Sequence, residues 1–111
     1  MGSANVLAAK ALGMGKVSTE LGELGVSQRP AWNDGTVAIR PEDIEIRSER
    51  PAVNGLRGRI VDRLFRGDHW EVIVRVGERE LHVITEPDQH HERDADIWLE
   101  LPPDDLLVLK D

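Results

Sequence analysis

The chain has 111 residues, 40% of them hydrophobic and 32% charged, with a net charge of −7 and no cysteine. That length suits one domain or two small lobes, and the missing cysteines exclude a disulfide framework and a thiolate metal site. No apolar run reaches the roughly 18 residues of a membrane helix, and the start lacks the charged-then-apolar pattern of a signal peptide, so a soluble, cytoplasmic protein is expected.

Met1-Gly2-Ser3 reads as an expression remnant and residues 1–4 as linker, leaving 5–111 as the folded domain. Asn5 to Leu12 mixes Val, Leu and Ala, and periodicity leaves strand and helix both open. Gly13 and Gly15 end it around Met14. Lys16 to Leu21 alternates as a strand, and Gly22-Glu23 reads as a two-residue turn into Leu24-Gly25-Val26. Gln28 to Gly35 is a loop of turn formers with its exit at Asn33-Asp34-Gly35. Val37 and Ile39 then alternate with Ala38 and Arg40. Pro41 forces Arg40 into an extended conformation and ends the strand. Glu42 and Asp43 suit one tight helical turn whose free N–H groups favour acids, and Ile44 and Ile46 resume the alternation.

Ser48 to Gly55 is a polar connection. Leu56, Ile60 and Leu64 interleave with Arg57, Arg59 and Arg63, with Gly58 read as a bulge or bend. Phe65 to His69 turns the chain. Trp70, Val72, Val74 and Val76 share one face of the next strand, Gly77-Glu78 makes a tight turn, and Leu81, Val83 and Thr85 share a face of the strand after it. Glu86 to Asp94 reads as a solvated loop, Asp96 to Leu101 as a strand, and Leu106 to Leu109 as the last one. The stretch Leu99 to Val108 aligns without a gap on Val37 to Ile46. Pro103 matches Pro41, Asp104 and Asp105 match Glu42 and Asp43, and Leu106 matches Ile44. Two equivalent corners are expected. Eight to ten short strands with Gly and Pro punctuation indicate an all-β fold, an OB-like small barrel of antiparallel strands, with two lobes sharing strands as the alternative arrangement.

Little in this chain suggests chemistry. Gly13-Met14-Gly15-Lys16-Val17-Ser18 resembles a phosphate loop but has Val17 where the hydroxyl belongs and Lys10 where the first glycine belongs, so it reads as a β-turn. Adjacent histidines on an extended chain point apart, so His90-His91 with Glu92, Asp94 and Asp96 reads as solvated loop rather than metal site. His69 and His82 read as structural. A triad needs no local spacing, and the sequence is silent on one. Nucleic-acid binding by an OB barrel needs a basic groove with exposed aromatics. Here Arg57, Arg59, Arg63 and Arg66 line one side only in part, Asp62 and Asp68 interrupt them, and Trp70 and Trp98 read as core, leaving Trp32 as the one exposed aromatic. Residues 81–111 hold two basic against nine acidic side chains and carry the whole net charge, which repels phosphate backbones.

The run Val37-Ala38-Ile39-Arg40-Pro41-Glu42-Asp43-Ile44, then Gly58-Arg59-Ile60 to Phe65-Arg66-Gly67, Trp70-Glu71-Val72 and the closing Pro103-Asp104-Asp105-Leu106, resembles the transport-associated OB (TOBE) domain. That domain forms the C-terminal part of the ATP-binding subunits of ABC importers of the maltose, polyamine and ferric-iron type. Asn5-Val6-Leu7 resembles the residues that open this part. The resemblance implies a regulatory and dimerisation domain without catalytic activity of its own, with ATP and Mg held by an ATPase domain and no cofactor in this chain. It implies as partners a second copy, the ATPase domain and the membrane permease subunits. No nucleic acid and no membrane insertion are implied, and the location would be cytoplasmic, at the inner face of the membrane. Arg40, Pro41, Glu42, Asp43, Pro103, Asp104 and Asp105 form the structural signature, with Arg40 clamping its neighbouring acids. Partner contact is expected at Phe65, Arg66, Gly67, Asp68, His69 and Trp70 and at His90 and His91, because loops on a rigid scaffold carry recognition. The molybdate-binding motif of some relatives is absent. Small-ligand sensing and nucleic-acid binding stand as the two alternatives.

Overall fold

Extended backbone dominates the computed structural model, which describes residues 4–109 and so leaves Met1-Gly2-Ser3 outside the described residues. Asn5–Gly13 is a strand, β1, with Leu7 and Ala9 buried and Val6, Ala8 and Lys10 turned outward. β2 (Lys16–Thr19) and β3 (Gly22–Gly25) follow as a hairpin. Its turn is Glu20-Leu21 rather than the expected Gly22-Glu23, because Thr19 pairs with Gly22. The Thr19 hydroxyl fixes that turn, accepting from the Leu21 N–H at 3.0 Å and donating to the Gly22 carbonyl at 2.9 Å. β4 (Asp34–Ile39) leads into a 3-10 turn at Pro41–Asp43 and then β5 (Glu45–Arg47). The second half repeats this: β6 (Gly55–Phe65), β7 (Trp70–Val76), β8 (Arg79–Thr85) and β9 (Asp96–Glu100), a 3-10 turn at Pro103–Asp105, and β10 (Leu107–Val108).

The two halves exchange their last strands. One antiparallel sheet runs β10-β4-β1-β2-β3 and the other β5-β9-β6-β7-β8. The orders are the same except that β5 has crossed into the second sheet and β10 into the first. The anticipated sharing of strands between two lobes is therefore the architecture, and the two proline corners are the crossover points. Ile44 and Leu106, the first residues past each corner, are buried to the same 2% exposure. They join one continuous core with Leu7, Val37 and Ile39 from the first half and Ile60, Leu81 and Leu99 from the second. Burying such side chains, at roughly 1.5–3 kcal/mol each, makes exchange of the strands inseparable from formation of the core.

β6 departs from the expected alternation. Leu56, Gly58 and Ile60 face inward, but the register with β7 slips between Ile60 and Asp62, so Val61 is the bulged residue. Beyond it the inward face is lost: Leu64, expected in the core, is 52% exposed. Gly58 is not the bulge. It faces Val74, whose Cγ1 would lie 2.6 Å from any Cβ added there. Glycine is required at that point by close approach of the neighbouring strand.

Candidate functional site

The two corners and the strand edges beside them form the junction between the lobes. Each corner closes by the same bond: Asp43 N–H donates to the Arg40 carbonyl and Asp105 N–H to the Pro102 carbonyl, both at 3.0 Å. Neither turn has a side-chain cap. The expected Arg40 clamp does not form. Among the described residues Arg40 is exposed and makes no ion pair with Glu42 or Asp43. Pro41 is buried instead, and packing rather than charge holds the turn. Burial pushes the Asp43 carboxyl above its ordinary range, the negative charges of Asp105 and Glu42 add to this, and Arg40 opposes it. The acidic tips of the two corners thus feel one another across the junction. The second corner is tied to the first sheet through Ser27, whose hydroxyl bonds to the Asp104 carboxylate and whose N–H donates to the Pro103 carbonyl at 3.3 Å.

Two asparagines that no sequence motif singles out close the exposed strand edges. Asn5 Nδ2 donates to the His82 carbonyl at 2.8 Å, and its Oδ1 accepts the His82 N–H at 2.9 Å. Asn54 treats Gly25 identically, at 2.9 and 2.8 Å. Each carboxamide imitates a strand pairing with the other lobe, satisfying edge groups that are otherwise open to further chains. A cleft of about 430 Å³ opens beside Asn5, lined by Pro41, Arg79, Glu80 and His82. Its one arginine is engaged: Arg79 bonds to Glu20 and to the Val6 carbonyl, both at 2.7 Å.

The residues expected to meet partners fall into two settings. The β6–β7 tip is open, with Phe65 45% exposed and its ring 4.9 Å from that of Trp70. Gly67 turns the tip at a φ of 99°, Arg66 pairs with Glu71 at 3.3 Å, and His69 Nδ1 lies 2.6 Å from Asp68. The equivalent β1–β2 tip exposes Leu12 and, at 93%, Met14. In the 86–94 loop His90 is exposed, but His91 is buried and leaves the solvated reading. Its Nε2 lies 2.7 Å from the Thr85 hydroxyl, its carbonyl accepts from Arg63 Nε at 2.5 Å, and its ring meets Trp70 edge-on. Desolvation first, then the charges of His90 and Arg63, hold its imidazole below the ordinary histidine range.

The other aromatics are also placed differently from expectation. Trp32 is half-buried over Gly35, with its Nε1–H donated to the Leu109 carbonyl at 2.6 Å. Trp98 points outward between Arg50 and Arg57 instead of entering the core, because the inward positions of β9 are Ile97 and Leu99. The four arginines weighed as a basic groove disperse: Arg59 pairs with Asp96, Arg63 with the His91 carbonyl, Arg66 with Glu71, and Arg57 stands on Trp98. The glycine-lysine stretch at 13–18 is the β1–β2 hairpin, with Met14 at a φ of 57°, and no helix follows to present N–H groups to a phosphate.

The profile of the TOBE domain family matches residues 37–109. The spermidine/putrescine import ATP-binding protein PotA of Clostridium acetobutylicum is 35% identical over 78 residues, which cover 69% of this chain and 21% of that protein. The chain therefore spans about a fifth of the length of the curated relative it matches. A crystal structure of the cytoplasmic molybdate-binding protein ModG, in a form with molybdate bound, superposes with a TM-score of 0.77 over 96% of each chain at 12% identity, a likeness of fold.

Proposed function

The chain belongs to the TOBE domain family, and from that premise we propose that it is the regulatory and dimerisation domain of the ATP-binding subunit of an ABC-type importer. In this reading ATP and Mg are bound by an ATPase domain preceding Asn5, the permease subunits and a second copy of the subunit are the partners, and the work is done at the inner face of the cell membrane. The observation that carries it is the family match across both proline corners, together with a relative that is an import ATP-binding protein. The exposed apolar tips at Leu12, Met14, Leu64 and Phe65 support partner contact, since exposed hydrophobic clusters mark interaction sites. His90 remains a candidate contact; His91 serves by fixing the loop that carries it. The test is the complete reading frame, expressed with its permease: an ATPase encoded before Asn5 is expected, with transport lost and basal hydrolysis kept when 37–109 is deleted. A reading frame without an ATPase contradicts the proposal.

A second reading, binding of a small oxyanion, is favoured by one observation, the shared two-lobe frame with a protein whose structure holds molybdate. The engaged state of Arg79 in the inter-lobe cleft argues against it. A ligand that binds only the folded form raises the melting temperature by mass action. Molybdate, tungstate and sulfate at millimolar concentration are therefore expected to leave the melting temperature unchanged, and a rise with molybdate would favour the second reading.

A further inference from the structure

Trp98 sits in a transverse row across the outer face of the second sheet. It pairs in register with Arg47 of β5 on one side and Arg57 of β6 on the other. Residues directly opposite in adjacent strands project to the same face, so the three side chains stand together, and Arg50 joins them from the connection between β5 and β6. The guanidinium carbons of Arg50 and Arg57 each lie 5.5 Å from the indole centroid, so the two charges are no farther apart than twice that distance. Arg47 is committed to Glu45 at 2.5 Å and Glu100 at 2.8 Å. Arg50 and Arg57 have no carboxylate partner among the described residues, although the chain carries 21 acidic side chains against 14 basic ones.

An aromatic face attracts a cation but takes none of its N–H hydrogen bonds. Neither fork is hydrogen-bonded to another group among the described residues, so both keep donors available while the indole holds two like charges together. The internal repeat provides a comparison. In the first sheet the corresponding row is Leu109, Thr36 and Ala8, joined by the Leu109 N–H to Thr36 carbonyl bond and the Ala8–Thr36 pairing. That row has neither charge nor aromatic ring, so the strand-exchanged frame does not require them.

We propose that the face around Trp98 docks a carboxylate-rich segment of a partner protein, with the forks of Arg50 and Arg57 each taking a carboxylate and the indole forming the floor between them. Guanidinium forks match carboxylate geometry two bonds at a time. A single-stranded nucleic acid fits less well, because successive bases need successive aromatic rings to stack on and this row offers only Trp98.

The test is an NMR titration of the ¹⁵N-labelled chain with deca-glutamate, deca-lysine and deca-thymidylate, following the indole N–H signals. Trp98 is assigned from the Trp98→Phe variant, and Trp32 and Trp70, whose N–H groups are bonded to Leu109 and Pro87, serve as internal references. Deca-glutamate is expected to move the Trp98 signal while leaving the other two in place, and Arg50→Gln with Arg57→Gln is expected to weaken that binding at least tenfold. Both substitutions are on exposed side chains, and an otherwise unchanged spectrum reports that the fold is kept. No movement of Trp98 at millimolar peptide, equal affinity in the double variant, or tighter binding of deca-thymidylate than of deca-glutamate would each overturn the proposal.

Discussion

Asn5 and Asn54 occupy equivalent positions in the two halves and make equivalent hydrogen bonds. Besides its paired bonds to the opposite lobe, Asn5 Nδ2 reaches the Ile39 carbonyl at 3.5 Å, and Asn54 Nδ2 reaches the Leu101 carbonyl at 2.8 Å. Ile39 and Leu101 are themselves the last apolar residues before the two corners. One carboxamide in each half thus ties three things together: the start of a long strand, the end of the strand paired with it, and the free edge of the other lobe.

Truncating either side chain strands N–H and carbonyl groups of the other lobe, at a cost of about 1–3 kcal/mol. Asn54 also lies at a φ of 53°, in the left-handed region that asparagine tolerates better than alanine, adding roughly 1–2 kcal/mol for Asn54→Ala. Urea denaturation is expected to show both variants destabilised, Asn54→Ala more than Asn5→Ala, with an unchanged m-value. An Asn54→Ala midpoint equal to that of the wild-type chain would mean that the Asn54 clamp is dispensable.

Gly58→Ala forces a methyl group to within 2.6 Å of Val74 Cγ1 and 3.2 Å of the Arg75 carbonyl. Overpacking of this kind costs about 1–3 kcal/mol. A lower urea midpoint is expected. An unaffected midpoint would show that β6 and β7 can part without penalty.

Gly35→Ala drives its methyl group into the Trp32 ring and must swing the indole off its bond to Leu109. The emission of one of the three tryptophans is expected to shift to the red, with a loss of about 1–3 kcal/mol. In a Trp32→Ala background the same change should be nearly neutral, since neighbours that share a contact are not additive. An equal loss in both backgrounds would locate the strain elsewhere.

His91 gives the fold a pH dependence. Its folded value lies below the ordinary one of about 6.5, so above that range both states hold it neutral and its contribution is complete. As pH falls through the unfolded value, the unfolded chain takes up a proton that the folded form resists, and stability declines until the folded value is passed. Between pH 7.5 and 5.5 the wild-type chain is expected to lose more of its urea midpoint than His91→Gln does. Parallel losses would show that His91 titrates normally.

The corners and the β7–β8 alternation were legible in the sequence, because proline followed by acids between apolar alternations has few other solutions. Strand sharing entered only as the alternative to a single barrel, since no local pattern says which sheet a strand joins after its corner. The turn at Glu20-Leu21 was not legible, since Thr19 closes it with its side chain, whereas the pattern of turn formers places it at Gly22. The bulge at Val61 leaves no local mark and takes the rest of β6 off the expected inward face, Leu64 included. Asn5 and Asn54 act through groups far along the chain and His91 through a loop that folds it back on Thr85, and a lone polar residue carries no period from which such partners can be read.

Pairing of two ATP-binding subunits through this domain is read out by sedimentation equilibrium of the chain from micromolar to millimolar concentration. A reversible species of twice the monomer mass, weakened when Leu64 and Phe65 are both replaced by serine, is the expected result. A monomer at every concentration would contradict pairing through this domain.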